Sequence, residues 1–279
     1  MNIEQFKDGP LKTIFDALDD AFAKNNIDFY LIGAQARDQW YAKEKIIARR
    51  TNDVDIAAYI SNIDDYKAVR SYLVKNYEFT ESRNNQFVLL SKEGLQVDIL
   101  PFGELEIDDA IHIQGEGLTN IKVNGFREIH QNGTEIFQVH TGHEFKIASL
   151  PSIVLLKLIA YDDRPEKRKK DAIDINSILQ HYFDLQSEFI FENHNDLFTN
   201  EELMAEETAL SEVASIVIGR EIKKIIAAND TLHKRIENIL VTFLNEKENS
   251  EFIRSMITNE KETIEKKLKL IMRLLDGIR

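Results

Sequence analysis

The chain has 279 residues, 43% of them hydrophobic and 30% charged, which is enough to bury one large core or two modest ones. A formal net charge of −13 opposes broad, non-specific contact with nucleic acid, so any such contact must come from a local basic patch. The absence of cysteine excludes disulfides and thiolate zinc sites. No apolar run reaches the roughly 18 residues of a membrane span, and the start, Met1-Asn-Ile-Glu-Gln5, lacks the layout of a secretory leader, so the expectation is a cytoplasmic protein without membrane contact.

In chain order, Pro10 to Lys24 spaces Leu11, Ile14, Phe15, Leu18 and Phe22 as one face of an amphipathic helix that packs on a sheet and has no catalytic part. Asn25-Asn26 ends it before a strand at Asp28 to Ile32. The small-residue turn Gly33-Ala34 follows, where backbone N–H groups can approach a ligand and a new helix points its partial positive end at the same place. This is a candidate phosphate seat. Arg37, in the first turn of that helix, is either a phosphate contact or a solvated surface arginine, and Trp40 is read as packing.

About twenty residues after the turn comes Asp53-Val-Asp55-Ile56, a second strand. Alternation puts both carboxylates on one side, and like charges that close favour a divalent cation held by oxygen ligands, magnesium first. A D-x-D pair also arises by chance at strand ends of an acidic chain. What separates the two readings is the glycine turn upstream and a third acid, Asp98, set in the apolar strand Leu95 to Leu100.

Residues 64 to 76 form a helix with Tyr66, Val69, Tyr72 and Leu73 inward, and Gln86–Leu90 with Leu95–Leu100 reads as a hairpin. From 104 to 149 short strands alternate with turn signals at Gln114-Gly115, Asn124-Gly125, Asn132-Gly133 and Thr141-Gly142, a β-rich extension in which Asn124-Gly125 favours a tight hairpin. His112, His130, His140 and His143 have no metal-ligand spacing and are read as surface or packing residues. Leu150-Pro151-Ser152 opens a helix whose body is apolar all round except for Lys157, which either snorkels or faces a bound anion. Arg164, Lys167, Arg168, Lys169 and Lys170 gather five bases in an acidic chain, as a solvated run or a phosphate anchor. Asp171 and Asp174 share a face at the next helix start, where they suit its dipole. Beyond about 190 the chain is helical and acidic. Thr199 to Glu202 is a capping-box pattern, and Ile236, Ile239, Leu240 and Phe243, like Ile264, Leu268, Ile271 and Leu275, repeat at helical spacing.

Taken together, Ile32-Gly33-Ala34-Gln35-Ala36, then Arg49-x-Thr51-x-Asp53-x-Asp55, Asp98, Lys157 and Arg164 to Asp174 resemble the nucleotidyltransferase superfamily with the DNA polymerase β-like fold. More narrowly, they resemble its AbiEii/AbiGii-type toxin-like branch, over roughly residues 10 to 185. Ala34 stands where many of these transferases have Ser or Gly, which leaves the phosphate to backbone N–H groups. The resemblance implies an α+β fold, with a mixed sheet and flanking helices over 1–185 and a helical C-terminal domain over 186–279. It also implies that Asp53, Asp55 and Asp98 hold two magnesium ions, and that Gly33, Ala34, Arg37, Arg49, Thr51, Lys157, Arg164, Asp171 and Asp174 bind or orient a nucleoside triphosphate such as ATP. Asp171 or Asp174 would orient Lys157 or Arg164. The implied reaction moves a nucleoside monophosphate to a hydroxyl of tRNA, a protein or a small molecule, with an antitoxin as a further partner. A D-x-D glycosyltransferase, a nucleotide sensor without turnover and an antibiotic-type small-molecule transferase are the alternatives; the first leaves Gly33, Asp98 and Lys157 together without a reason.

Overall fold

The computed structural model describes residues 9–47, 53–107, 109–139, 141–205 and 208–279. Arg49, Thr51 and His140 lie outside them. The chain divides into two compact units, Met1–Ala42 with Ile46–Ser149, and Lys43–Lys45 with Leu150–Arg279. The division falls at the start of the helix that carries Lys157, whereas the sequence places a domain boundary after residue 185. At that later point one long helix continues, with a local break at Gln186.

The first unit runs α1 (Pro10–Lys24), β1 (Phe29–Ile32), α2 (Gly33–Lys43), β2 (Asp53–Ile60), α3 (Ile63–Tyr77), β3 (Thr80–Glu81), β4 (Val88–Leu90), β5 (Gln96–Gly103), β6 (Ala110–His112), β7 (Asn120–Lys122), α4 (Phe126–Asn132), β8 (Thr134–Gln138) and β9 (Glu144–Ala148). Seven strands form a mixed sheet in the order β3-β4-β5-β2-β1-β9-β8, and β6 and β7 make a separate ribbon. This is the expected mixed sheet with helices. β2 lies parallel to β5 and antiparallel to β1, which is itself parallel to β9. Val54, Ile56, Val97 and Ile99 are fully buried, because alternation sends them to the face opposite the acids. Pro10 starts α1 and Ile14, Phe15, Leu18 and Phe22 bury its predicted face, while Asn62 caps α3 by accepting from the N–H groups of Asp64 and Asp65.

Two local expectations are corrected. Tyr72 does not point inward: its hydroxyl and that of Tyr77 both donate to Asp20 Oδ2, at 2.9 and 2.8 Å, tying α3 to α1. A tyrosine half out of the core keeps its hydroxyl satisfied, and Arg70 is the residue that goes in, with its guanidinium 5.5 Å over the Tyr66 ring and donating to Val88 O. Asn124-Gly125 does not turn a hairpin: Gly125, at φ +86, is the residue before α4, whose Phe126 and Ile129 are buried. The Asn-Gly signal reports tolerance of positive φ, which a helix entry uses as well as a hairpin does.

The second unit is helical: α5 (Leu150–Asp163), a 3₁₀ turn at Pro165–Lys167, α6 (Lys169–Asn193), α7 (Glu201–Met204), α8 (Ala209–Ile225), α9 (Asp230–Glu246), α10 (Glu251–Ser255) and α11 (Ile264–Ile278). No helix among the described residues is long and apolar enough to cross a membrane. Gly219 and Gly277 let α8 and α11 meet backbone to backbone, since a Cβ at Gly219 would lie 2.2 Å from Leu274 O and one at Gly277 2.1 Å from Ile216 O. Arg235 clasps α9 to α5 through Asp162 and Asp163, at 2.7 and 2.9 Å. The capping box at Thr199 shifts by one residue: Asn200 accepts from Leu203 N as the cap of α7, and Thr199 donates to Asp196 O instead. The inward stripe of α11 is Leu270, Ile271, Leu274, Leu275 and Ile278, with Lys267 rather than Leu268 in the buried set.

Candidate functional site

Asp55 and Asp98 are register partners on the adjacent parallel strands β2 and β5, one step along from the pair Asp53 and Gln96. All four side chains therefore stand on one face of the sheet. Asp53 is exposed, Asp55 and Asp98 are half-buried, and the Gln96 amide donates to Asp98 Oδ1 at 2.7 Å. Strand alternation alone could have drawn in Gln96, two residues before Asp98; nothing in its residue type marked it.

On the other side of β2, Ile32 of β1 is the partner of Asp55, so the chain turns into α2 directly beside that carboxylate. Gly33 adopts φ +66, and a Cβ there would lie 2.2 Å from Asp55 Oδ2. Only glycine allows this contact. The helix begins at Gly33 itself, so its first N–H groups, which have no intrahelical acceptor, open next to the acids. An anion seat and a row of carboxylates then share one corner of the sheet.

That donor set is all oxygen, suited to a hard divalent cation, and the absence of a side chain at Gly33 is what lets the Asp55 carboxylate pack there. Among the described residues, however, no group of three or more His, Asp or Glu side chains is gathered closely enough to hold a metal ion. The acids share a face without closing on a point.

Arg37 is not a solvated surface residue. It is 2% exposed, donates to Asp38 Oδ1 from Nε and Nη2 at 3.0 and 2.7 Å, and sits 5.6 Å over the Tyr41 ring. Burial of a guanidinium is tolerable because the neighbouring carboxylate neutralises it. Trp40 packs as read, donating to Ala148 O at 3.0 Å with its ring edge-on to Phe137. His130 bonds Asp28 and stacks on Tyr59, and His143 bonds Asp16 and stacks on Phe145, both packing roles.

The second unit holds the other predicted residues. Lys157, on the inward side of α5, neither snorkels nor stands alone: its ammonium donates to Asp171 Oδ1 and Asp174 Oδ2 of α6, each at 2.8 Å. Asp171 and Asp174 are buried, which is why they are three apart on the face that meets α5. One ammonium against two carboxylates leaves a net negative charge, relieved in part by Arg168, whose Nη1 is 3.8 Å from Asp171 Oδ2. That Oδ2 atom is buried and accepts no hydrogen bond. Arg164 is half-buried at the end of α5, ahead of Pro165.

The family described as nucleotidyl transferase AbiEii toxin, type IV TA system, matches residues 16–240. No curated protein sequence matches the chain. Among solved structures, similarity is found to the antibiotic-resistance factor ANT(2'')-Ia, at 13% identity and TM-score 0.39 over 82% of this chain and 95% of that one. The same factor in complex with adenylyl-2''-tobramycin matches at 13% identity and TM-score 0.36, over 57% of this chain and 80% of that one. An antigenic nucleotidyltransferase-like protein from Paracoccidioides brasiliensis matches at 16% identity and TM-score 0.40, covering 72% and 91% respectively.

Proposed function

Because the chain belongs to the AbiEii family of nucleotidyl transferase toxins, we propose that it moves a nucleoside monophosphate from a nucleoside triphosphate to an acceptor hydroxyl, with release of pyrophosphate. The observation that carries this reading is the register pair Asp55 and Asp98 with Gly33 packed against the Asp55 carboxylate. Asp53, Asp55 and Asp98 share a face without closing on a point, so they would hold magnesium only by drawing together around it, and the ion would then neutralise charge on the attacking and leaving oxygens. The N–H groups at Gly33 and Ala34 would take the β- and γ-phosphate oxygens, without the hydroxyl that a serine at 34 would add. Asp98, held at Oδ1 by the Gln96 amide, would accept the proton of the attacking hydroxyl. Lys157 gives two of its three N–H donors to Asp171 and Asp174 and keeps one. Arg49 and Thr51, which precede the β2 acids in the sequence, would add contacts to the nucleotide. As a member of a type IV system family, the chain would act as a toxin opposed by an antitoxin.

The test is transfer of label. Each triphosphate, labelled at the α-phosphate, is incubated with the protein and magnesium together with total RNA, total protein or a small-molecule extract, and the labelled fraction is identified. Label in one fraction, lost on magnesium removal, is the expected result. Tight nucleotide binding with no labelled product in any fraction would instead favour a sensor without turnover.

A further inference from the structure

The second unit carries a surface that the proposed transfer does not use. From Asp171 to Gly219 the sequence has no Lys or Arg, against eleven Asp and Glu. Within this stretch α6 departs from helical geometry at Gln186, φ −135 and ψ 24. In a straight helix Phe183 and Phe191, eight residues apart, would be separated by about 12 Å along the axis. The break brings their ring centroids to 5.8 Å, and Phe198, from the 3₁₀ turn at Asn195–Thr199, stacks on Phe191 at 4.7 Å and lies 6.3 Å from Phe183. Phe191 is 53% exposed. A helix is thus bent so that three phenylalanines form a cluster, and the cluster is left open to solvent.

Its surroundings are of one sign. Asp184, Glu188 and Glu192 follow one another at four-residue intervals on the same helix, all exposed, and none has an ion-pair partner among the described residues. Glu188 and Glu192, one turn apart beyond the break at Gln186, repel each other and oppose the helix that bears them. Of the basic side chains at this end, Arg220 is held by Asp196 at 2.6 Å and Lys224 by Glu221 at 2.6 Å. Exposed aromatic area rimmed by uncompensated charge is the composition of a recognition surface rather than of a solvated face.

We propose that the Phe183, Phe191 and Phe198 cluster, with Asp184, Glu188 and Glu192, docks a basic amphipathic segment of another protein, its apolar side covering Phe191 and its Lys or Arg residues pairing with the acids. Charge complementarity selects this occupant. On a second copy of the chain, the basic run Arg164 to Lys170 has no apolar side chain other than Pro165 to lay on the rings.

The test uses the full chain and two labelled synthetic helical peptides, one of leucine and lysine and one of leucine and glutamate in the same pattern. Fluorescence anisotropy should show binding of the Leu/Lys peptide, weakened at least tenfold by Phe191→Ser. Glu188→Lys with Glu192→Lys should weaken it at least tenfold and allow the Leu/Glu peptide to bind, while the same reversal at the exposed acids Asp64 and Glu93 of the first unit should leave Leu/Lys binding within twofold. Circular dichroism of each variant must match the wild type. Binding that follows net charge alone, equal for both reversals and indifferent to Phe191→Ser, would overturn the proposal. So would a wild-type dimer by light scattering that Phe191→Ser dissociates, because a second copy would then be the occupant.

Discussion

At Gly33 a methyl group would have to occupy a point 2.2 Å from Asp55 Oδ2 on a backbone held at φ +66. Gly33→Ala should therefore cost about 1–2 kcal/mol from the left-handed backbone alone, and displace the Asp55 carboxylate as well. Thermal melting and transfer assayed together should both fall; a variant with wild-type values in both would remove Gly33 from the site. Lys157 shows how structure changes an expectation. From sequence, a Lys157 that faces the triphosphate predicts that Lys157→Met leaves stability equal or slightly improved. With Asp171 and Asp174 buried against the ammonium, the same change strands two carboxylates and should cost about 3–5 kcal/mol in denaturant unfolding. Adding Asp174→Asn to Lys157→Met should recover part of that loss, and no recovery would mean that the pairing is not what the lysine contributes. Asp55, Asp98 and Gly33 were legible in the sequence because strand alternation and a glycine turn are short-range rules. Arg37 was not: its partners Asp38 and Tyr41 are neighbours along α2, and a pairing between adjacent residues leaves no periodic trace.

Among the elements, the helices and strands whose apolar residues repeat were read correctly, and the errors fall where one residue type serves two geometries. Asn-Gly entered a helix instead of a hairpin, and Asn200 took the cap from Thr199. The helical spacing of Ile264, Leu268, Ile271 and Leu275 predicts an amphipathic α11, yet Lys267 is 2% exposed, donating to Glu262 Oε1 at 2.6 Å and Asn176 Oδ1 at 2.7 Å. No sequence period predicts a buried lysine whose partners come from another helix and a loop. Burial raises the Glu262 carboxyl, but the Lys267 ammonium, the Thr258 N–H and the Gln180 amide outweigh it and bring the pKa to about 2. Burial also lowers Lys267, so the two partners disagree on what the pair is worth. The carboxylate alone implies about 3 kcal/mol, and the desolvated ammonium reduces that. Since the folded pKa lies below the ordinary value of 4.5, this contribution is complete above that pH and is lost as pH falls toward about 2. Glu262→Gln should flatten the fall of melting temperature between pH 4.5 and 2 relative to wild type. Parallel curves would show that the carboxylate has no such role.

For the whole molecule, the expected mixed sheet and helical C-terminal region are both present, and the family resemblance read from spaced motifs is matched over residues 16–240. What spacing could not convey is that the motif residues are divided between two compact units, Gly33 to Asp98 in one and Lys157 to Asp174 in the other. Motif order along a chain carries no record of where one core ends. The acceptor was equally hidden, since it is recognised by surface whose composition has no fixed pattern. The most direct measurement is pyrophosphate release from the four ribonucleoside triphosphates, with magnesium and total cellular extract as acceptor, by wild type and Asp98→Asn protein of equal melting temperature. Release by the wild type, reduced at least about a hundredfold by Asp98→Asn as expected of a lost proton acceptor and metal ligand, is the predicted result. Equal release by both proteins would contradict the assignment of the β2 and β5 acids as the centre of transfer.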